Sequence, residues 1–470
     1  MAGFDEFIDG FYPYRRETQS YKSVPEEPRP RAEVLAEIAG MAGREDAMGD
    51  EGRVSGSLYS GDHEHYEYLG EVFTLFSHAN VLQRDMYPSA TKFEAEIVAM
   101  ALDLVHGSSA GGDACGVVTG GGSESLITAL YSYREVARER GVTKPNLVMP
   151  NTAHVALDKG AYWMDIEVRH SPVGDDCRAD VDAMADMVDD QTIAVVGSAG
   201  NYPYGVIDPI PEIADLAASK GIGMHVDGCL GGFVWPWAEE LGYPVPLWDF
   251  RVPGVTSISA DTHKYGYGLK GTSTLMYRTK DLRRHQYFTH ATWPGGLYLS
   301  PGLAGSRSGG LIAATWAAMV TTGRTGYLSA AKAILETAAT IRAGVEATDG
   351  VALMGDSLFV AAFRADEEGL DIYLVNDALK RDGWRLNSLQ LPAALHFCVT
   401  RPNTKPGVAQ EFVASLGRAV DYAREHADTP AESGAMYGFG ATPQGRQTMM
   451  QLMSGVLDAM HEVAPAVEES

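Results

Sequence analysis

The sequence predicts an α/β fold: a mainly parallel, doubly wound sheet flanked by helices, with a smaller α/β domain towards the C-terminus and an arm at the N-terminus. Between about 115 and 275 short apolar runs alternate with amphipathic stretches, the signature of repeated βαβ units. The chain has 470 residues, enough for two or three domains. Apolar residues make up 45% and charged residues 21%, as in ordinary globular proteins.

Residues 1–85 read as the arm, 86–325 as the large domain and 326–470 as the small one. Within the arm, a Pro-rich stretch around Pro25, Pro28 and Pro30 precedes a helix expected over 31–41. A helix is expected from Ser89, a suitable N-cap, through the apolar periodicity of 92–102. Candidate strands follow at 116–119, 146–149, 166–169, 193–197, 223–226, 257–260 and 273–277. Helices are expected at 123–140, 155–160, 180–188 and 210–219. The Ala-rich stretch 310–349 reads as helix. The C-terminal region mixes strands (358–364, 395–400) with helices (371–382, 408–426).

The net charge of −25 argues against nucleic acid and anionic membrane surfaces as bulk partners. A small anionic ligand is compatible with it, because a few local cations can dominate a pocket. The cysteines Cys115, Cys177, Cys229 and Cys398 form no CxxC pair, which points to reduced thiols and a cytoplasmic protein. The acidic start of the chain lacks a signal peptide's basic and apolar regions, and no run of about 18 apolar residues predicts a membrane anchor.

Ligands of doubly wound sheets bind at the carboxyl ends of strands. Lys264 stands there, in Ser259-Ala260-Asp261-Thr262-His263-Lys264-Tyr265-Gly266, and Asp227 ends another apolar strand in His225-Val226-Asp227-Gly228. A lysine and a carboxylate so placed suggest pyridoxal 5'-phosphate (PLP): the lysine forms a Schiff base, and the carboxylate keeps the pyridine nitrogen protonated. A charge pair about 4 Å apart at an effective dielectric of about 20 is worth roughly 4 kcal/mol. Gly120-Gly121-Gly122-Ser123 lies between a strand and a long helix, where backbone N–H groups and the helix dipole favour a phosphate. An ordinary turn with an N-cap has the same composition, and the spacing matches neither Walker A nor GxGxxG. His154, at the start of a helix, is placed either to stack on the pyridine or to cap. His263 is a candidate phosphate or substrate ligand. His63 and His65 form an H-x-H pair that nothing else completes into a metal site, so no metal is expected.

These residues sit in a wider pattern. His225-Val226-Asp227-Gly228-Cys229-Leu230-Gly231-Gly232-Phe233, Asp249-Phe250-Arg251-Val252, Asp261-Thr262-His263-Lys264-Tyr265-Gly266 and Ala304-Gly305-Ser306-Arg307 resemble the sphingosine-1-phosphate lyase family. These are fold-type I PLP enzymes related to amino acid decarboxylases. Ser55-Gly56, Tyr59, Asn80, Phe93-Glu94-Ala95-Glu96, His396-Phe397-Cys398 and Gly434-Ala435-Met436-Tyr437-Gly438 extend the likeness. The resemblance implies a seven-stranded sheet and a homodimer with active sites at its interface. It implies that Lys264 bonds the cofactor, Asp227 pairs with the pyridinium and His154 stacks on the ring. Gly122, Ser123, Thr262 and His263 would hold the cofactor phosphate, and Ser306 would reach across the dimer. Tyr59 and Lys270 would grip a substrate phosphate near Asn80, with Tyr202 beside the bond being broken.

The implied reaction is retro-aldol cleavage of a phosphorylated sphingoid base to a fatty aldehyde and phosphoethanolamine. Tyr202, His263, Lys264 and the cofactor phosphate all remain candidates for the base. One departure bears on the substrate. Where the family carries Leu-His-Pro-Asp, this chain has Leu82-Gln83-Arg84-Asp85. Gln83 donates a hydrogen bond without the charge of histidine, and Arg84 either compensates or points elsewhere. An amino acid decarboxylase, or a lyase for a soluble β-hydroxy amino compound, is therefore the alternative. A non-catalytic protein of the same fold is opposed by the intact Lys264, Asp227 and His154.

Overall fold

The computed structural model describes residues 8–10, 12–437 and 443–463. The first seven residues and Gly438 lie outside them. The large domain is built on a seven-stranded sheet: β1 (Cys115–Thr119), β2 (Asn146–Pro150), β3 (Glu167–Ser171), β4 (Thr192–Ser198), β5 (Gly223–Asp227), β6 (Ser257–Ala260) and β7 (Ser273–Tyr277). Their order across the sheet is β1-β7-β6-β5-β4-β2-β3. β7 is antiparallel to both neighbours, and the other pairings are parallel. β1, β2 and β4 are buried along their whole length. Helices cover both faces of such a sheet, which explains why these strands read as continuous apolar runs.

The helices that matter here are α1 (Arg31–Asp50), α2 (His63–Leu75), α3 (Pro88–Leu104), α4 (Gly122–Glu139), α5 (Ala156–Trp163), α6 (Ile210–Lys220), α7 (Gly309–Ala347), α8 (Ile372–Arg381) and α9 (Val408–Glu425). α1 runs well beyond the expected 31–41. Ser89 is not an N-cap: α3 opens with Tyr87 as cap and Pro88 in the first turn. Proline suits that position because its fixed φ is already helical and its missing N–H would have no intrahelical acceptor.

α7 spans the large and small domains. Its first part packs on α2 and α3, with Leu69 against Ala314, Ala317 and Ala318 and the Phe93 ring 4.9 Å from Trp316. Its last part packs on the small domain, where Arg342 donates to the Val360 carbonyl. The two parts meet at a kink where Gly323 takes φ 58°, a left-handed value that glycine tolerates. The expected domain boundary at 325/326 falls inside this helix, beside the kink.

The small domain carries a four-stranded antiparallel sheet of order β10-β11-β13-β12, from β10 (Val351–Met354), β11 (Val360–Ala365), β12 (Asn387–Leu389) and β13 (Ala394–Cys398). β10 and β12, short and only partly buried, are not among the strands expected from the sequence. The chain from Arg53 to Gly56 crosses onto this domain, where Ser55 Oγ accepts from Cys398 N at 3.0 Å. β8 (Phe288–His290) and β9 (Tyr298–Ser300) form a separate hairpin. No helix among the described residues is long and apolar enough to cross a membrane, and all four cysteines are free and buried.

Phe397 anchors the small-domain core. It is fully buried, with ring centroids 4.8 Å from Phe412 and 6.0 Å from Trp384. Phe397→Ala should cost about 3–5 kcal/mol of stability in equilibrium chemical unfolding, because it removes a ring and leaves a cavity.

Candidate active site

The carboxyl ends of β1, β2, β5 and β6 share one edge of the sheet, and a predicted site residue follows or ends each of them. The glycine turn follows β1, His154 follows β2, Asp227 ends β5 and Lys264 follows β6. Lys264 Nζ lies 3.0 Å from Asp261 Oδ2, three residues earlier in the same turn. Burial disfavours the charged amine, but the Asp261 carboxylate, together with Tyr59, Cys229 and Asp227, offsets this and holds its pKa above the ordinary lysine value. At 3.0 Å and an effective dielectric of about 20 that attraction is roughly 5 kcal/mol. Asp227 is 7% exposed, and its Oδ1 accepts from Cys229 N at 3.0 Å. Burial pushes its carboxyl up, yet the neighbouring His154 imidazole and the Cys229 N–H hold it below its ordinary value.

Gly121 takes φ +144°, which suits glycine. A Cβ on Gly122 would stand 2.7 Å from Asp261 Oδ2, so the turn closes directly over the Lys264 loop. Ser123 is exposed in the first turn of α4, where backbone N–H groups have no intrahelical acceptor. The turn is stitched to the sheet by hydroxyls: Thr119 Oγ1 to Ser125 Oγ at 2.7 Å and Ser125 Oγ to Ser273 Oγ at 2.9 Å.

His154 Nδ1 accepts from Ala156 N at 3.1 Å, capping α5. Its ring meets Tyr202 edge-on at 6.4 Å, and Tyr202 meets His396 at 4.9 Å. Burial pushes His396 down to about 4, and it bonds the Pro203 carbonyl and Asn387. His263 directs Nδ1 to the Thr272 carbonyl, and burial lowers its pKa. The Thr262 side chain does not turn towards the glycine loop: it is fully buried and donates to Thr272 Oγ1 at 2.8 Å.

A pocket of about 190 Å³ opens beside His263, lined by Tyr59, Tyr66, Tyr267 and Lys270 among others. Lys270 is exposed as a residue, and its ammonium sits 4.7 Å from the centre of the Tyr59 ring. Desolvation there, with the Lys264 charge nearby, pushes it down to about 8.

Asn80, Gln83 and Ser306 form a second group. Asn80 Nδ2 donates to Ser306 Oγ at 3.0 Å, and Gln83 N donates to the Asn80 carbonyl. Among the described residues no hydrogen bond joins this group to Lys264. Gln83 is exposed. Arg84 points elsewhere: it donates to Glu94 Oε2 at 2.6 Å and to Thr91, and Glu94 also receives Arg307. His63 bonds Asp50 and His65 bonds the Tyr267 carbonyl, so the H-x-H pair is split between two partners.

Two participants escaped the sequence reading. Asp261 was visible only as part of a motif, although its i,i+3 spacing from Lys264 in a turn is the signal that pairs them. His396 lies far away in sequence and reaches Tyr202 only through the packing of the two domains.

This arrangement fits a phosphorylated pyridine aldehyde. A reactive amine, an ionised carboxylate at a strand end and a glycine turn at a helix start lie on one sheet edge. Asp261 Oδ1 is buried with no hydrogen-bond partner, an orphan polar atom that marks a place for a polar group. Gly122→Ala should force the turn away from Asp261 and weaken PLP binding at least tenfold, read from the visible absorption of bound cofactor during titration.

Residues 22–364 match the pyridoxal-dependent decarboxylase conserved domain. The chain is 39% identical over 450 residues to sphingosine-1-phosphate lyase 1 of Rattus norvegicus, covering 95% of this chain and 78% of the relative. It is 41% identical over 418 residues to sphingosine-1-phosphate lyase of Oryza sativa subsp. japonica, covering 87% and 77%. A solved sphingosine-1-phosphate lyase of Burkholderia pseudomallei superposes with a TM-score of 0.89 at 47% identity, covering 96% of this chain and 99% of that one. A glutamate decarboxylase of Lactobacillus brevis, at 22% identity and a TM-score of 0.72, shares the fold. With Lys264, Asp227 and the glycine turn on one edge of a fold-type I sheet, the chain belongs to the pyridoxal-dependent decarboxylase family, in its sphingosine-1-phosphate lyase branch, and PLP is its cofactor.

Proposed function

We propose that this chain is a carbon–carbon lyase that cleaves a phosphorylated sphingoid base of the sphingosine-1-phosphate type into a fatty aldehyde and phosphoethanolamine. The observation that carries this reading is the Lys270–Tyr59 pocket beside His263 and Lys264, where a cation waits for a phosphate close to the cofactor-bonding amine. The relatives' names support the same substrate class.

When bound, the cofactor supplies an electron sink for the pair released as the Cα–Cβ bond breaks. Lys264 would be the residue that bonds it, and Asp227 would pair with its ring nitrogen. His154 would stack on its ring. The N–H groups of Gly122 and Ser123, with His263, would hold its phosphate, while the Thr262 hydroxyl is already spent on Thr272. Lys270 and Tyr59 hold the substrate phosphate, which orients the scissile bond. Tyr202 stands between His154 and His396 and is, with His263 and Lys264, a candidate to take the β-hydroxyl proton. The aldehyde departs and a proton returns to Cα.

Residues 1–85, 86–325 and 326–470 serve in this reading as arm, cofactor domain and small domain. We place the second group, Asn80, Gln83 and Ser306, at a homodimer interface, where Ser306 completes the partner's site. The exposed apolar residues Phe288, Trp293, Leu297, Leu299 and Leu303 on and beside the β8–β9 hairpin support such an interface. Buried free thiols suit a reducing, cytoplasmic setting. Gln83 is uncharged and Arg84 is committed to Glu94, which favours as second reading a lyase or decarboxylase for a smaller, soluble amino compound.

Purified PLP-loaded protein should release fatty aldehyde and phosphoethanolamine from sphinganine phosphate. Carbon dioxide from an amino acid would select the decarboxylase instead. Lys264→Ala should abolish both the visible cofactor band and the products. Because Lys270 is charged only below its lowered pKa of about 8, KM for the phosphorylated substrate should rise as pH passes that value. Lys270→Met should remove the step and raise KM roughly tenfold at neutral pH. Gln83→His should lower KM for phosphorylated substrates by restoring a charge-assisted contact; an unchanged KM places Gln83 away from the phosphate.

A further inference from the structure

The parallel register of β5 on β6 sets His225 opposite Ser257 and Asp227 opposite Ser259. His225 is 1% exposed, and its ring bridges the two serines: Nδ1 lies 2.7 Å from Ser257 Oγ and Nε2 3.3 Å from Ser259 Oγ. Ser259 Oγ donates to Asp227 Oδ1 at 3.4 Å and accepts from Cys229 Sγ at 3.2 Å. At the other end, Tyr133 Oη bonds Ser257 Oγ and lies 2.8 Å from Thr256 Oγ1. A continuous buried path therefore runs from Tyr133 through Ser257, His225 and Ser259 to Asp227.

Counting protons gives the path a direction. An ionised Asp227 accepts only, so Ser259 spends its one proton on it. Ser259 Oγ then has only lone pairs for His225, and Nε2 must carry the imidazole proton. Burial keeps this histidine neutral, with a pKa pushed down to about 4. Nδ1 is therefore an acceptor, served by Ser257, whose oxygen accepts from Tyr133. The opposite tautomer would leave one contact without a proton. With the Nε2–H tautomer, every proton along the path points towards the carboxylate.

We propose that His225 is a positioning residue for the cofactor: acting through Ser259, it keeps Asp227 ionised and aimed for pairing with the ring nitrogen. This rests on the reading that Asp227 pairs with that nitrogen. The measurement is the dissociation constant of the cofactor-stripped protein for PLP and for 1-deaza-pyridoxal phosphate, whose ring carries carbon in place of nitrogen. Ser259→Ala and His225→Leu should each weaken PLP binding roughly tenfold while changing affinity for the deaza compound by less than about twofold. His225→Gln, which retains a donor, should recover part of the loss. Equal losses for both compounds would mean that these residues merely shape the site, and would overturn the proposal, as would unchanged PLP affinity in Ser259→Ala. Should His225→Leu fail to fold, Ser259→Ala decides alone. Asp227→Asn separates the underlying reading: if it leaves the ratio of the two affinities as in the parent protein, Asp227 does not pair with the nitrogen.

Discussion

β5 lies parallel to β6, with Asp227 opposite Ser259 and Lys264 one turn beyond the end of β6. That register brings together a carboxylate and an amine that are distant in sequence. It is held by backbone hydrogen bonds in a sheet buried on both faces, where a slip of one residue would turn every side chain to the opposite face. β7, antiparallel between β1 and β6, fixes the third component. It carries Ser273, to which the hydroxyls at the glycine turn are tied. The site is thus a property of strand order before it is a property of any loop.

Charge in this site is arranged by pairing against desolvation. Lys264 and Asp261 form a close ion pair beneath the glycine turn, and the amine stays protonated because attraction outweighs burial. Asp227 is held below its ordinary pKa, against burial, by the His154 imidazole and the Cys229 N–H. His225 and His396 have no carboxylate in direct contact and stay neutral, bonded to hydroxyl, carbonyl and amide groups. Buried polar groups joined in networks of this kind are rigid, since any break leaves an unsatisfied atom. A rigid first set of contacts is what a cleavage that depends on bond orientation requires.

The region 80–94 shows how one substitution can be isolated by its surroundings. Glu94 is buried and receives both Arg84 and Arg307. Arg84 also donates to Thr91, so its guanidinium is spent on partners within this region. Arg84 is therefore held in a structural role and is not available to replace the charge that Gln83 lacks. In the proposed reading, the substrate's anionic end falls to Lys270 and Tyr59.

The large-domain strands were legible in the sequence because buried parallel strands are uninterrupted apolar runs bounded by turns, as in Val117-Val118 and Ala194-Val195-Val196. The motif around Lys264 and the carboxylate at Asp227 were legible because their chemistry is carried by residue type. β10 and β12 were not, being short and only partly buried. The N-cap at Ser89 was misplaced because Pro88 competes for the same turn. The sequence by itself determined the cofactor and the branch of chemistry. Only the tertiary structure decided that Arg84 is bound to Glu94, that Thr262 faces Thr272, that Asp261 holds Lys264, and that His396 reaches Tyr202. Each of these depends on where a side chain finds its partner once the strands are in register, and no local pattern encodes that.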